Sequence, residues 1–254
     1  MAVLFFALSD ASGQRAGKDR FESFWGTEYE TASAGRTAAL NGGPQGENPL
    51  ARLVYWNRVA IDTSGIDHTP VTAGENRIFG EQIGPGRASR AIAIVHIAIF
   101  EAMNSITGGY MSYAGVPRTR MPASADAAIA KSAAETLRTM YPSQGPRIQQ
   151  LLAEDLNRLP AGPMQENGVA VGQSAAATVL ALRAGDGSVH PEPRVYFDYM
   201  PNSRMGSWQQ DPISRIPLAL GAHWGEVRPF VLASASQFRV PPPPPMNSPE
   251  YAAA

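Results

Sequence analysis

The sequence predicts an all-α protein: a bundle of about five helices followed by a long Pro-rich irregular strap. Three observations lead there. Apolar residues recur at helical spacing from Pro49 to Ala184. One stretch, Ala91 to Asn104, is apolar nearly all the way round, as the central helix of a bundle is. Twelve of the chain's 22 prolines fall from Pro191 onward, where neither a helical nor a strand period persists.

Residues 1–48 are polar and Gly-rich with isolated aromatics (Phe21, Phe24, Trp25, Tyr29), and read as an extended arm. A first helix is expected from Pro49 to about Asp62, with Pro49 at its start and Leu53, Trp56 and Ala60 on one stripe. Turn-rich sequence then leads to the central helix, expected from about Arg87 to Ile106 and stopped by Gly108-Gly109. Arg90, His96 and Glu101 enter its apolar surroundings and need partners, because an unpaired buried charge is costly.

A third helix is expected from about Ala123 to Met140, capped by Ser124, with Ile129, Ala133 and Leu137 as its buried edge and Pro142 ending it. Pro146 opens a fourth, with Leu151, Leu152, Leu156 and Leu159 inward. Pro163 opens a fifth that reaches about Ala184 before Gly185, dense in alanine and so suited to close helix approach. The domain boundaries are thus an arm at 1–48, a bundle at 49–184 and a strap at 185–254. Tyr196, Phe197, Tyr199, Trp208, Trp224 and Phe230 are the strap's expected anchors. Ser248-Pro249-Glu250 reads as the start of another helix, and the expectation is that this helix continues in a longer protein.

Composition narrows the function. The 254 residues carry a net charge of -1, so no electrostatic case exists for nucleic acid or an anionic membrane. The only lysines are Lys18 and Lys131, so the basic charge is almost all arginine, which suits fixed bidentate pairing. No cysteine is present, which excludes disulfides, thiolate metal sites and a thiol nucleophile. The opening Met1–Ser9 is apolar but short and lacks a basic lead. No run reaches the ~20 apolar residues expected of a membrane span. Localisation stays open between the cytoplasm and export with the signal missing.

Several constellations imitate chemistry. Ser89-Arg90, five residues, then His96 has the spacing of an oxyanion-handling Arg/His motif. On a regular helix six residues turn the chain by about 600°, so Arg90 and His96 diverge unless Arg90 precedes the helix. Lys131 and Arg138 match the spacing of a first oxyanion motif, with Thr139 in place of proline, and read as a solvated face. Pro142-Ser143-Gln144-Gly145 echoes a second motif without its His. Arg228-Pro229 lacks its Lys, since Gly221 stands there, and Arg228 is expected to anchor the strap; His223-Trp224 is expected to pack. The four histidines (His68, His96, His190, His223) are widely spaced, with no i, i+4 pair for zinc. Asp186-Gly187-Ser188 is too short for a calcium loop, and Pro85 spoils Gly84-Pro85-Gly86 as a phosphate cradle. No Gly-x-Ser-x-Gly elbow is present.

Taken together, Trp56-Asn57 in Ala51–Asn57, the Gly84–Asn104 turn and helix, His223–Phe230, Gln237-Phe238-Arg239 and the run Pro241–Pro245 resemble the N-terminal bundle of vanadium-dependent haloperoxidases, within the type 2 phosphatidic acid phosphatase/haloperoxidase superfamily. The resemblance covers roughly residues 48 to 254. It implies an intact protein that binds vanadate through Arg, Lys and a ligating His, and oxidises halide with hydrogen peroxide. Those oxyanion motifs belong to a C-terminal catalytic bundle, and none stands in this chain in the family's order. The chain therefore reads as the front portion, with its own missing C-terminal bundle as partner and a homo-oligomer left open. No catalytic, cofactor-binding or metal-ligating residue is assigned, and no vanadate is expected to bind this chain alone. An acid phosphatase of the same superfamily and a non-catalytic helical scaffold are the alternative readings.

Overall fold

A computed structural model describes residues 43–253. The arm expected at 1–48 lies, up to residue 42, outside them. Among the described residues the protein has six α-helices and no strand, so the class is all-α. The chain divides into two compact units: residues up to Ile83 with Arg87–Leu182, and Gly84–Gly86 with Arg183–Ala254.

In the first unit α1 runs from Pro49 to Asp67. The Asn48 side chain accepts from the Ala51 amide at 3.0 Å, and Pro49 takes a position where no N–H is needed. α1 passes its expected end at Asp62 because tertiary partners hold the polar last turn. Buried Thr63 donates to the Val59 carbonyl, and its own carbonyl accepts from Gln144 Nε2 at 2.9 Å. Asp67, fully buried, accepts from the Glu81 and Gln82 amides at 2.7 and 2.9 Å and so fastens the following loop.

α2 spans Pro85–Thr107, opening two residues earlier than expected. No residue from Ala91 to Ile106 is exposed. Its length and composition reach those of a membrane span, which the sequence reading missed, and 56% of that window is buried inside the protein, as a core helix also is. Gly108 and Gly109 stop it at φ 68° and 102°, backbone that glycine adopts without strain.

α3 spans Ala125–Met140 with Ser124 as its cap. A 3₁₀ turn at Pro142–Gln144 leads into α4, Gly145–Leu156, and α5 spans Pro163–Arg183. Trp56 and Val59 of α1, Val95 and Ile99 of α2, Ile129 and Leu137 of α3, and Ile148 and Leu152 of α4 meet in one core. Of the edge expected on α4, Leu152 and Leu159 are buried, and Leu151 and Leu156 are partly so. The alanines of α5 do allow close approach: Ala175 joins Ala102 and Ala128 in a second small cluster. Gly168 and Gly172 let α5 lie directly on the backbone of α3, where a Cβ at 172 would fall 2.5 Å from the Ala128 carbonyl oxygen.

The second unit is held by few elements. An antiparallel bridge joins Arg194 to Leu218, with the Val195 and Ala219 amides donating to the Pro217 and Pro193 carbonyls at 2.8 Å. The strap is otherwise irregular up to the short α6, Pro249–Ala252, capped by Ser248. Its expected aromatic anchors divide. Tyr196 and Phe197 are exposed, whereas Trp208 packs edge-on against Tyr199 with ring centroids 5.3 Å apart. Trp224 lies against Gly86, where a Cβ would fall 2.6 Å from its ring, and Phe230 stacks under Arg183. The interior here is polar: Arg183, Asp186 and Ser188 are buried with Val195, Ala219 and Val227.

Candidate functional site

The Arg90/His96 pair tests the oxyanion idea directly. Arg90 is the sixth residue of α2, well inside the helix, so the exception that would let the two side chains converge does not arise. They reach different neighbours. Arg90 Nη1 approaches Met140 Sδ of α3 at 3.7 Å, whereas His96 Nε2 meets Asn57 Oδ1 of α1 at 2.9 Å. Burial holds the His96 pKa below its ordinary value, so the ring is neutral at pH 7. Asn57 Oδ1 can only accept, which places the proton on Nε2.

Glu101, fully buried, accepts from Ser112 Oγ at 2.6 Å and from the amides of Tyr113 and Ala114 at 2.5 and 2.8 Å. Its carboxylate is a nucleus around which the 110–116 loop folds. A carboxylate with three donors in place is a structural acceptor with little capacity left for acid-base work.

The densest buried charge sits elsewhere, at Arg52 of α1, which sequence reading did not single out. Arg52 Nε donates to both oxygens of Asp155 at 3.1 and 3.0 Å, and Nη1 pairs with Asp126. Trp56 Nε1 donates to Asp155 Oδ2 at 2.8 Å, and the Asn48 amide donates to Asp126 at 2.9 Å. All three charged groups are essentially inaccessible to solvent. The network ties α1, α3 and α4 together through a single guanidinium. A signal existed: Arg52 shares a face with Tyr55, Trp56 and Val59, and Asp155 shares one with Ile148 and Leu152.

The remaining imitations are also satisfied within the chain. Lys131 and Arg138 do converge, on Glu135 Oε1, at 2.5 and 3.3 Å. Lys131 is mostly covered (16% exposed), so only Arg138 fits the expected solvated face. Both are drawn to the carboxylate between them and not to a common empty point. At the Pro142–Gln144 turn the Ser143 amide and hydroxyl donate to the Glu81 carboxylate, the hydroxyl at 2.6 Å. A carboxylate of the chain itself already fills the place an oxyanion would take.

In the second unit Arg183 is an anchoring side chain that the sequence did not single out. Its guanidinium pairs with Asp186 at 2.6 Å, donates to the Arg228 and Pro229 carbonyls at 2.6 and 3.2 Å, and stacks on Phe230. Arg228 joins the same cluster, its amide donating to the Asp186 carbonyl at 2.8 Å. His190 and His223, 33 residues apart in the chain, come together with ring centroids 5.4 Å apart beside Trp224. His223 Nδ1 lies 3.5 Å from Glu226. No group of three His, Cys, Asp or Glu among the described residues could hold a metal ion.

A cleft of about 270 Å³ opens in the first unit where the end of α2, the 116–121 segment and α5 meet. Its polar lining is mostly engaged. Ser105 Oγ donates to the Pro117 carbonyl at 2.7 Å, the Thr119 amide to the Ser105 carbonyl at 2.9 Å, and Asn167 to the Pro122 carbonyl at 2.8 Å.

A scan against protein-family models, a search of the curated proteins and a search of the solved structures find no match to this chain.

Proposed function

We propose that this chain is the supporting helical portion of a vanadium-dependent haloperoxidase-like protein, with the vanadate pocket built by residues outside these 254. Two considerations of different kinds support the reading. The motifs at 51–57, 84–104 and 223–245 resemble, in kind and order, those of that family's N-terminal bundle. And each oxyanion-like motif that does occur here is diverted to internal pairing: Arg90 and His96 point to different helices, and Lys131 and Arg138 share Glu135.

The residues described do not fit vanadate. A tetrahedral oxyanion needs several converging donors and a free imidazole nitrogen aimed at one point. No described cluster supplies that, and no step of peroxide or halide chemistry is assigned to a residue of this chain. The role left to it is mechanical: a rigid bundle, fixed by Arg52, that carries a strap.

The test is the mass of the native polypeptide, followed by activity. The reading expects a mass well above the 27.1 kDa of this sequence. It also expects vanadate-dependent bromide oxidation by the native protein, and none by the isolated chain. A native mass of 27.1 kDa would replace it with the scaffold reading. Hydrolysis of phosphate esters without bromide oxidation would replace it with the phosphatase reading.

A further inference from the structure

We infer that the cleft between the 116–121 segment and α5 binds a small monocarboxylate with an apolar tail, with Arg118 as the residue that recognises the carboxylate. This goes beyond the haloperoxidase reading and does not depend on it.

The cleft's floor and walls are aliphatic, from Val116, Pro117, Met121, Ala170 and Val171. Arg118 is the one charged side chain among the residues that line it. Arg77, Arg147 and Arg194 each pair with a carboxylate. Arg118 instead makes a single long hydrogen bond among the described residues, from Nη2 to the Ile106 carbonyl at 3.3 Å. Its guanidinium rests over Gly108, in space that only a residue without a Cβ leaves open. The group is thus placed by backbone, with most of its N–H donors unspent, at the edge of an apolar hollow.

A planar guanidinium with a free edge matches a carboxylate bidentately. One cation and no helix N-terminus at the rim favour a single negative charge over a phosphate. Ser105 Oγ and Asn167 Nδ2 of the lining donate to backbone carbonyls, so most of the cleft offers apolar contact. The volume of about 270 Å³ is near the lower limit for small-molecule pockets. An aryl-alkyl or short fatty carboxylate meets all of these conditions.

The experiment is an amide NMR titration of the full chain with 4-phenylbutyrate, its neutral amide, and inorganic phosphate. Saturable shifts are expected at residues 116–121 and 170–174 with 4-phenylbutyrate. The amide and Arg118→Gln should each weaken binding by about tenfold or more, the value of a charge-assisted bond, with Arg118→Lys intermediate. Ala170→Phe, at an exposed position facing the cleft, should block binding with Arg118 intact. Absence of saturable shifts overturns the inference, as does equal binding of acid and amide, or unchanged affinity in Arg118→Gln. Phosphate that competes with 4-phenylbutyrate at the same residues would reassign the cleft to inorganic oxyanions.

Discussion

At the scale of the residue, the chain's polar chemistry has been turned inward. Arg52, Asp126 and Asp155 carry no solvent, so each depends on the others for the solvation it has lost. Removing one partner of such a network strands a buried charge, at about 3–5 kcal/mol. Asp155→Ala also takes the acceptor from Trp56 Nε1. It should therefore lower the urea midpoint by an amount in that range, whereas Glu135→Gln, between two partly exposed cations, should cost under about 1 kcal/mol. A loss for Asp155→Ala no larger than that for Glu135→Gln would mean that the guanidinium is not the fixing point. His96 makes a pH prediction. Its folded pKa is depressed by burial, so below the ordinary imidazole value the unfolded chain binds the proton more readily. The contribution of His96 is present above about pH 6.5 and is lost as pH falls. In His96→Gln the stability lost between about pH 7 and 5 should shrink, with the wild-type ring titrating below 6.5 by NMR. Tyr141 works at the other end. Burial, helped by the Asp67 and Glu81 carboxylates and opposed by Ser64, pushes its phenol up to about 12. The unfolded chain ionises first, so this stabilisation is intact below about pH 10 and disappears between 10 and 12.

At the scale of the element, sequence and structure agree best where one physical cause acts alone. Proline and serine placed the helix starts, since Pro49, Pro163 and Ser124 act on their own backbone. Helix ends fared worse where distant partners decide. Nothing local in Ile61–Asp67 signals that Gln144 and the loop at 81–82 will hold that last turn. The site followed the same division. That Arg90 and His96 diverge was legible from the helical repeat, but Arg52 as the hub was not, because Asp126 and Asp155 come from helices far along the chain. Gly168 and Gly172 show the same limit, since only the contact with α3 explains them. Gly172→Ala ordinarily gains about 1 kcal/mol of helix propensity. Here its Cβ would meet backbone of Ala128 and Ser132, which cannot yield as a side chain would. We expect a net loss of about 1–2 kcal/mol, as in overpacked cores. Gly185→Ala, with open space around the new methyl and no positive φ, should be neutral or stabilising in the same denaturation series. Equal behaviour of the two variants would mean that α5 does not lie against α3 as described.

At the scale of the whole molecule, two kinds of order share one chain. The first unit is ordered by a continuous apolar core, and such cores open only near the global unfolding energy. The second has a handful of buried residues and a few backbone bonds, so most of its amides should open at little cost. Hydrogen exchange on the full chain should therefore separate them. Amides of α1 to α4 should exchange slowest. Those of residues 200–216 and 231–247 should exchange within the earliest time points, with islands of protection at Val195, Ala219 and Arg228. The island at Arg228 rests on Arg183, whose guanidinium holds Asp186 and the Arg228 and Pro229 carbonyls at once. Arg183→Ala removes that hub, so segments 186–190 and 226–230 should lose their protection together. The exchange rates of α1, α3 and α4 should be unchanged. Loss confined to 183–186, with 226–230 still protected, would show that Val227 and the turn at Trp224 hold the strap by themselves. The polar knot would then be a consequence of the strap's path and not its cause.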